Sequence, residues 1–325
     1  FLSIFPFGDL SFGKFPSGDR SQIKNPRNLS PQMGKWKWKE KTIMKLGLAL
    51  SGGGIRGAVH IGVLKALEEN NIKVDIIGGT SSGSLVAALY AMGYSPIHIY
   101  QLFKRYGKTI TNMGAGPIIN GIGGYIVNKK FNISGISEGK DIEELYNEFA
   151  YKKKIYKMSD MKMPIVIPTI DIKSGKEYVF TSKRTKDSKY INDISVGGAV
   201  RASSSFPAVF CPYEYKNYLF LDGGTLDNIP VKEVFKCGAD KVISVKFQPI
   251  NIDKESNVMD IVFKTIDIMG NKIIEKDVDK SDYILNIPTD DKIGFLDSKQ
   301  IEKCYKCGYE ETIKNIGEIH KILSE

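Results

Sequence analysis

Cysteine is scarce in this sequence, with four residues in 325, which is too few for a disulfide-stapled scaffold. Cys304 and Cys307 form a lone Cys-x-x-Cys pair, with no second pair and no histidine at zinc-site spacing. The pattern over 299–323 predicts a helix, which would place both thiols on one helical face. We interpret the pair as structural rather than as a metal or redox site.

Arginine is also rare. Only six of the 46 Lys and Arg residues are Arg, although the formal net charge is +9. Because arginine supplies the forked hydrogen bonds that read phosphates and bases, a lysine-based excess is a weak indication of nucleic-acid binding. It fits attraction to an anionic membrane surface equally well. We expect no nucleic-acid partner.

The sequence has no segment typical of a membrane span or an export signal. Its longest uncharged stretch, 109–128, contains five glycines and a proline, which make a poor transmembrane helix. Without a signal-peptide layout, the expected location is the cytoplasm. Residues 1–43 begin with Phe1 and are interpreted as an N-terminal extension or a vector-derived leader, outside the fold.

What is present is an alternation of strand and helix patterns. This alternation through the first two-thirds of the chain is typical of a mostly parallel sheet covered on both faces. The predicted strands are 46–50, 74–77, 164–172, 177–181, 218–221, 241–247 and 283–287, and the predicted helices are 58–69, a helix after Gly83, 95–106, 141–149, 259–274 and 299–323.

The first glycine-rich motif, Gly52-Gly53-Gly54-Ile55-Arg56-Gly57, joins a predicted strand to a predicted helix. It matches the G-x-G-x-x-G pattern of dinucleotide-binding units. However, those units carry an acidic residue at the end of the second strand, and Asp75 stands at the start of that strand instead. What remains is a glycine-rich turn and a helix N-terminus whose free N–H groups can bind an anion, either a phosphate or a tetrahedral oxyanion.

The second motif, Gly79-Thr80-Ser81-Ser82-Gly83, is G-x-S-x-G between a strand and a helix. Small residues on both sides allow the sharp turn of a nucleophile elbow, which exposes the serine hydroxyl at the carboxyl edge of the sheet. The helix that follows stabilises developing negative charge at its N-terminus. Ser81 is therefore the candidate nucleophile. The plain alternative is a Gly/Ser-rich turn.

The general base is better sought among carboxylates than among histidines. In the order of an α/β-hydrolase triad the histidine follows the acid late in the chain, and only His320 has that place, but it lies in a charged amphipathic helix near the C-terminus. Each of the three histidines is interpreted as a packing or surface residue: His60, His98 and His320. Asp222 ends an apolar strand, at the edge where α/β active sites form. It is followed by Gly223 and Gly224, which allow close backbone approach. A common Asp-Gly turn is the alternative.

The three motifs, in the order GGGIRG, GTSSG and DGG, resemble those of the patatin-like phospholipase family of bacterial type. The flanking text agrees, in GLALSGGGIRGAVHIGVLKALEE, VDIIGGTSSGSLVAALYAMG and AVRASSSFPAVFCPYEYKNYLFLDGGTLDNIPV. The resemblance covers about residues 45–247. It implies a three-layer α/β/α sandwich, with a catalytic domain over 44–250 and a C-terminal part, 251–325, that packs on the same domain.

The resemblance also implies a lipid acyl hydrolase of phospholipase A or lysophospholipase type. Ser81 and Asp222 would form a catalytic dyad that works through an acyl-enzyme, with oxyanion-hole N–H groups from Gly52, Gly53 and Gly54. It implies no metal and no cofactor, and a phospholipid or other lipid ester met by peripheral contact with a membrane. The other motif residues are Arg56, Gly57, Gly79, Gly83, Gly223 and Gly224.

Two alternatives stay open from the sequence. One is a general carboxylesterase or thioesterase with the same dyad, because pocket shape rather than the dyad sets the substrate. The other is a non-catalytic phosphate- or lipid-binding protein in which Ser81 is incidental. Arg56 is interpreted either as a contact to a lipid phosphate or as a structural side chain. Residues 109–136 are expected to form part of an acyl pocket or a lid that touches the membrane.

Overall fold

A computed structural model describes residues 44–112, 137–207, 209–248, 258–289 and 298–325. The strands in these ranges are β1 Leu46–Leu50, β2 Ile76–Gly79, β3 Ile165–Asp171, β4 Lys176–Thr181, β5 Tyr190–Ile191, β6 Tyr213–Tyr215, β7 Tyr218–Asp222, β8 Lys241–Phe247 and β9 Tyr283–Ile287. The helices are α1 Ala58–Glu69, α2 Ser82–Ala91, α3 Pro96–Asn112, α4 Lys140–Lys152, α5 Val196–Ser203, α6 Val231–Cys237, α7 Val258–Val278, α8 Ile301–Lys314 and α9 Ile316–Ser324.

The strands form one sheet with the order β5-β4-β3-β2-β1-β8-β9. The five strands from β3 to β9 along this order are all parallel to their neighbours, whereas β4 runs antiparallel to β3. Strand β7 also pairs antiparallel with β3, beyond the point where β2 ends. The expected mostly parallel α/β sheet flanked by helices is confirmed. Parallel pairing brings the carboxyl ends of β1, β2 and β8 to one edge.

Each face of the sheet has its own apolar core, because successive side chains of a strand point to opposite faces. On β1, Leu48 and Leu50 enter one buried cluster, and Ala49 between them enters the other. Helices α1, α2, α3, α8 and α9 contribute to the first cluster. The second is covered by α6 and α7 through Val234 and Ile274. This arrangement makes β1 buried along its whole length.

The second strand differs from its prediction. It was expected over 74–77, to end at the following glycines, but β2 instead continues through Gly78 and Gly79. These glycines pair with Ala49 and Leu50 of β1. A Cβ on Gly78 would lie 2.6 Å from the side chain of Val234, so the absent side chain lets α6 approach the sheet. Here close packing outweighs the low strand propensity of glycine.

The C-terminal helix also differs, because the predicted span 299–323 is divided at Asn315 into α8 and α9. The Asn315 amide donates to the Glu311 carbonyl at 2.8 Å, and its oxygen accepts from the Tyr283 hydroxyl at 2.8 Å. The Asn315 side chain therefore supplies a hydrogen-bond donor to a backbone carbonyl at the end of α8. The hypothetical lid over 109–136 lies outside the described residues except for 109–112, which end α3.

Helices α1 and α8 touch through glycines, at Gly62 on one helix and Gly308 on the other. A Cβ on Gly62 would meet the Tyr305 carbonyl oxygen, and a Cβ on Gly308 would meet the Val59 carbonyl oxygen. Their backbones are therefore in direct contact, a spacing that no larger residue permits. This contact holds α8 against α1, the helix that follows the first glycine-rich motif.

Gly308→Ala should therefore lower the free energy of unfolding by about 1–3 kcal/mol, because the new methyl group forces the two helices apart. The matched control is Gly317→Ala in α9, where no atom lies within 4 Å of the new Cβ. That variant should be as stable as the wild type or more stable, since alanine favours helix by about 1 kcal/mol. Urea unfolding measures both. Equal stability of the two variants would contradict the close contact.

Candidate active site

Ser81 occupies the sharp turn between β2 and α2. Its backbone has φ 52° and ψ −122°, an unusual conformation for a residue with a side chain. The glycines on either side permit the turn: a Cβ on Gly79 would meet Gly83, and a Cβ on Gly83 would lie 2.6 Å from the Leu50 carbonyl oxygen. The geometry is that of a nucleophile elbow, with its serine at the N-terminus of α2.

The end of α5 supports this turn. The Ser81 N–H donates to the Ser203 hydroxyl at 3.1 Å, and the Ser81 carbonyl accepts from the Ser84 hydroxyl at 2.6 Å. The same end of α5 reaches the candidate base, because the Asp222 N–H donates to the Ser205 carbonyl at 3.1 Å. One helix end therefore fixes the backbones of Ser81 and Asp222 together. We assigned no role to Ser203 from the sequence, although it lies in the stretch AVRASSSFP that resembles the family.

Asp222 ends β7 and is only 2% exposed. One carboxylate oxygen, Oδ1, accepts from the Gly224 N–H at 2.8 Å. The other, Oδ2, is buried and has no hydrogen-bond partner among the described residues. Burial raises the pKa of Asp222 from its ordinary value of 3.8 to about 7, against the lowering effects of the Ser81 side chain and the Gly224 N–H. The group is thus a base matched to neutral pH.

Ser81 and Asp222 line a common cavity of about 30 Å³, large enough for a water molecule. Its other walls come from the first glycine-rich motif, the segment after α5, the Asp222 loop and α7: Gly52, Gly53, Arg56, Phe206, Gly224, Asn228, Lys264, Ile266 and Asp267. The structure therefore brings together all three sequence motifs. The open acceptor Oδ2 is the atom that can take the Ser81 proton.

The three predicted oxyanion donors are not equivalent. The Gly52 N–H is already engaged, with the Asn228 side-chain oxygen at 3.1 Å and the Asn228 carbonyl at 3.2 Å. The N–H groups of Gly53 and Gly54 have no acceptor within the described ranges. Gly54 has φ 61°, a conformation that glycine adopts without strain. The arrangement favours Gly53 and Gly54 over Gly52 as oxyanion donors.

Asn228 is a site residue to which we assigned no role from the sequence. It is 7% exposed and joins the Asp222 loop to the Gly52 loop through the hydrogen bonds just described. A Cβ on Gly52 would lie 2.6 Å from the Asn228 side-chain oxygen, so the loops fit only with glycine there. The available signal was the Asn-x-Pro sequence Asn228-Ile229-Pro230, which lies in the stretch that resembles the family.

His60 is hydrogen-bonded to the backbone at the start of the first glycine-rich loop. Its Nε2–H donates to the Ser51 carbonyl at 2.8 Å, and its ring lies 5.0 Å from that of Phe247. Burial lowers the pKa of His60 to about 4, with a smaller raising effect of the Ser51 carbonyl, so the ring is neutral at neutral pH. It does not line the cavity of Ser81 and Asp222. The geometry gives His60 a positioning role.

Arg56 also contacts this loop and Phe247. Its guanidinium lies 5.1 Å from the centre of the Phe247 ring, and it donates to the carbonyls of Gly53 at 3.3 Å and Gln248 at 3.1 Å. The residue is 3% exposed. Its hydrogen bonds are therefore directed mainly to backbone carbonyls. Of the two interpretations from the sequence, the structure favours the structural one.

The remaining candidates lie elsewhere. His98 is hydrogen-bonded to the Ser95 hydroxyl at 2.8 Å, and His320 is exposed on α9. Cys304 is buried, and the Cys307 thiol donates to the Pro288 carbonyl at 2.8 Å. In the part of the chain that the structure describes, no group of three or more His, Cys, Asp or Glu side chains is arranged to hold a metal ion.

Comparison with known proteins agrees with the motifs. The family model for patatin-like phospholipases matches residues 48–235. The chain is 34% identical over 208 residues to "Lysophospholipase NTE1" of Scheffersomyces stipitis and 35% identical over 208 residues to the protein of that name from Debaryomyces hansenii. Each match covers 62% of this chain but only 11% and 12% of those two proteins. The chain thus spans a small part of their length.

Solved structures with a related arrangement include VipD from Legionella pneumophila, with a TM-score of 0.47 and 13% identity. That match covers 87% of this chain and 67% of VipD. Human GIVD cytosolic phospholipase A2 matches with a TM-score of 0.46 and 10% identity, over 87% of this chain and 58% of that protein.

Asp222→Asn should stabilise the protein at alkaline pH. A folded-state pKa near 7 exceeds the unfolded value near 4, so the stability contributed by the protonated group is lost as the pH rises through 7. Asparagine keeps the acceptor for Gly224 and is never charged. Its advantage should grow by about 2 kcal/mol from pH 5 to pH 8. Urea unfolding at both pH values measures it. If Asp222→Asn differed from the wild type by the same free energy of unfolding at both pH values, this would contradict a buried carboxyl group with a pKa near 7.

His60→Leu should lower kcat/KM by about tenfold or more, because the carbonyl that precedes the oxyanion loop loses its donor. His60→Gln, which keeps an N–H in that region, should retain more activity, and His98→Leu serves as the surface control. The pH profile of kcat/KM should keep its acid-side inflection near 7, set by Asp222. Loss of that inflection in His60→Leu would identify His60 as the base instead.

Proposed function

Because the chain belongs to the patatin-like phospholipase family, we propose that it hydrolyses the acyl ester of a phospholipid or lysophospholipid with Ser81 as nucleophile and Asp222 as base. The observation that carries this proposal is the unpartnered, buried Oδ2 of Asp222 in the same cavity as the elbow serine. A carboxylate oxygen desolvated in this way is a stronger base than an exposed one. It needs no histidine between it and the serine.

Acylation uses the three motifs in turn. Asp222 Oδ2 takes the proton of the Ser81 hydroxyl while Oγ attacks the ester carbonyl carbon. The carbonyl oxygen becomes an oxyanion and is stabilised by the N–H groups of Gly53 and Gly54, together with the N-terminus of α2. The tetrahedral intermediate then collapses, the bond to the alcohol oxygen breaks, and the departing alkoxide takes the proton from Asp222.

Deacylation repeats these steps with water in place of the serine hydroxyl. Asp222 removes a proton from a water molecule, whose oxygen attacks the acyl carbon bound to Ser81. The second tetrahedral intermediate uses the same N–H donors. Its collapse breaks the bond to Oγ, which recovers the proton from Asp222, and the fatty acid leaves. The single base serves both steps because each step returns its proton.

The lipid substrate class is supported by the relatives. The two relatives reported above are named lysophospholipases. The family model matches residues 48–235, the region that carries the three motifs. A monoacyl phospholipid is therefore the substrate class we propose first. The phosphate-binding alternative, in which Ser81 is incidental, leaves the elbow backbone and the buried Asp222 without an explanation.

Peripheral contact with a membrane is part of the proposal. Helix α7 contributes Lys264, Ile266 and Asp267 to the catalytic cavity. Large apolar side chains are exposed on the same helix: Ile261, Ile268, Met269 and Ile273. An apolar helix surface beside a lipase cavity is suited to the interface of a lipid aggregate. Within the described ranges, no helix is both long enough and apolar enough to span a bilayer.

A fluorophosphonate should label the wild-type protein at Ser81, because the activated hydroxyl displaces fluoride and remains phosphonylated. Peptide mapping identifies the site, and lysophosphatidylcholine hydrolysis is measured in parallel with a chelator present. Ser81→Ala should lose labelling and hydrolysis, with a decrease of about 10³-fold or more for both Ser81→Ala and Asp222→Asn.

The matched control is Ser82→Ala, which removes the neighbouring hydroxyl from the same motif and should still be labelled. Circular dichroism establishes that each variant is folded. Hydrolysis that survives in folded Ser81→Ala would refute the dyad. A folded wild type that is neither labelled nor active would favour the binding-protein alternative.

A further inference from the structure

We propose that Lys264 on α7 binds the phosphate of the substrate head group and so makes the site selective for phosphate-bearing acyl esters over neutral ones. The inference rests on the proposed function, because it assigns a substrate class to the same site. It concerns a side chain outside all three sequence motifs. The observations that carry it are the position of Lys264, the absence of an ion pair between it and the described residues, and the hydrogen bonds that engage Arg56, the other cation of the cavity wall.

Lys264 lies in the wall of the cavity that contains Ser81 and Asp222, and its side chain is half-buried. It forms no ion pair with any residue in the described part of the chain. Most of the lysines that form ion pairs in the described residues are exposed, and none of them lines the cavity. A half-buried ammonium group without a carboxylate partner is suited to an anion that arrives with the substrate.

Arg56 is the other cation in this wall, and its donors are directed elsewhere. Its Nε and Nη1 hydrogen-bond to backbone carbonyls, and its guanidinium packs on Phe247. Asp267, the acidic residue of α7 in the wall, accepts from the Asn271 amide at 3.1 Å and interacts electrostatically with Arg56. The charges of Arg56 and Asp267 thus offset one another. Lys264 remains as the cation available to a ligand.

The position of Lys264 is fixed by the contact of α7 with the Asp222 loop. A Cβ on Gly270 would meet the Gly224 carbonyl oxygen, so the two backbones touch there. One residue later, the Asn271 oxygen accepts from the Asn228 amide at 3.4 Å. Lys264 lies six residues before Gly270, about 9 Å along the helix. The lysine is therefore held at a set distance from the base.

The chemistry of a lysophospholipid matches this arrangement. Its phosphate is separated from the acyl ester by the glycerol backbone alone, so a cation in the wall beside the nucleophile can reach it while the ester is attacked. A hydrogen bond to a charged group contributes enough to change kcat/KM by about tenfold or more. A monoacylglycerol has the same acyl ester without the phosphate and gains nothing from this lysine.

The experiment compares two substrates that differ only in the head group, palmitoyl lysophosphatidylcholine and palmitoylglycerol, in identical mixed micelles. In the wild type, kcat/KM should be higher for the phosphate-bearing substrate. Lys264→Met, which keeps the length of the side chain and removes its charge, should lower this preference by about tenfold. Its kcat/KM for palmitoylglycerol should change by less than about twofold, and Lys264→Arg should restore part of the preference.

Lys272→Met is the matched control, since Lys272 is an exposed lysine of the same helix, paired with Glu275 at 2.6 Å and outside the catalytic cavity. It should leave the preference unchanged. An unchanged preference in Lys264→Met, or an equal loss on both substrates, would overturn the proposal. A wild type that hydrolyses neither substrate would instead refute the proposed function.

A second arm separates a lipid head group from a free phosphate. Glycerophosphocholine and inorganic phosphate are added separately, at equal concentration, to the palmitoylglycerol assay. Inhibition by glycerophosphocholine that is lost in Lys264→Met supports a head-group site. Equal or stronger inhibition by inorganic phosphate would overturn the head-group assignment in favour of a general anion site.

Discussion

The buried carboxylate of Asp222 is the constraint on which the rest of the site depends. A charge out of contact with water is costly unless it is neutralised or hydrogen-bonded. Within the described residues, the backbone supplies this carboxylate with one donor, the Gly224 N–H. The incomplete solvation raises its pKa to about 7 and leaves Oδ2 free to take a proton. Additional donors would stabilise the anion and weaken the base. The same burial that makes the Asp222 carboxylate unfavourable for stability supports the proposal that it acts as a base.

A base in this state is useful only if its partners are held in place, and backbone contacts from distant parts of the chain provide this. Ser203 fixes the elbow, Asn228 connects the two glycine-rich loops, and His60 holds the carbonyl before the oxyanion loop. Each of these side chains acts on the backbone rather than on a substrate. The site is therefore preorganised by hydrogen bonds to the main chain, which is the arrangement that electrostatic stabilisation of a transition state requires.

The sequence was sufficient for features that depend on local pattern. Apolar runs located β8 and β9 at their observed bounds, and the three motifs placed Ser81 and Asp222 at strand ends. The sequence was insufficient where contacts between distant segments determine the local structure. Gly78 extends β2 because α6 packs on it, and Asn315 divides the last helix through a bond to Tyr283. The engagement of the Gly52 N–H by Asn228 belongs to the same class, since the two residues are far apart in sequence.

Chemistry and substrate choice also come from different parts of the chain. The groups that we propose to react lie in the short glycine-rich segments, where glycine permits close approach of the backbones. Another wall of the same cavity comes from α7, through Lys264, Ile266 and Asp267. Helix α7 contacts the Asp222 loop at Gly270 and Asn271, and its Ile274 packs in the second apolar core. Under the proposed function, the cavity-lining positions of a helix anchored elsewhere are those at which a substitution changes specificity while the reaction stays the same.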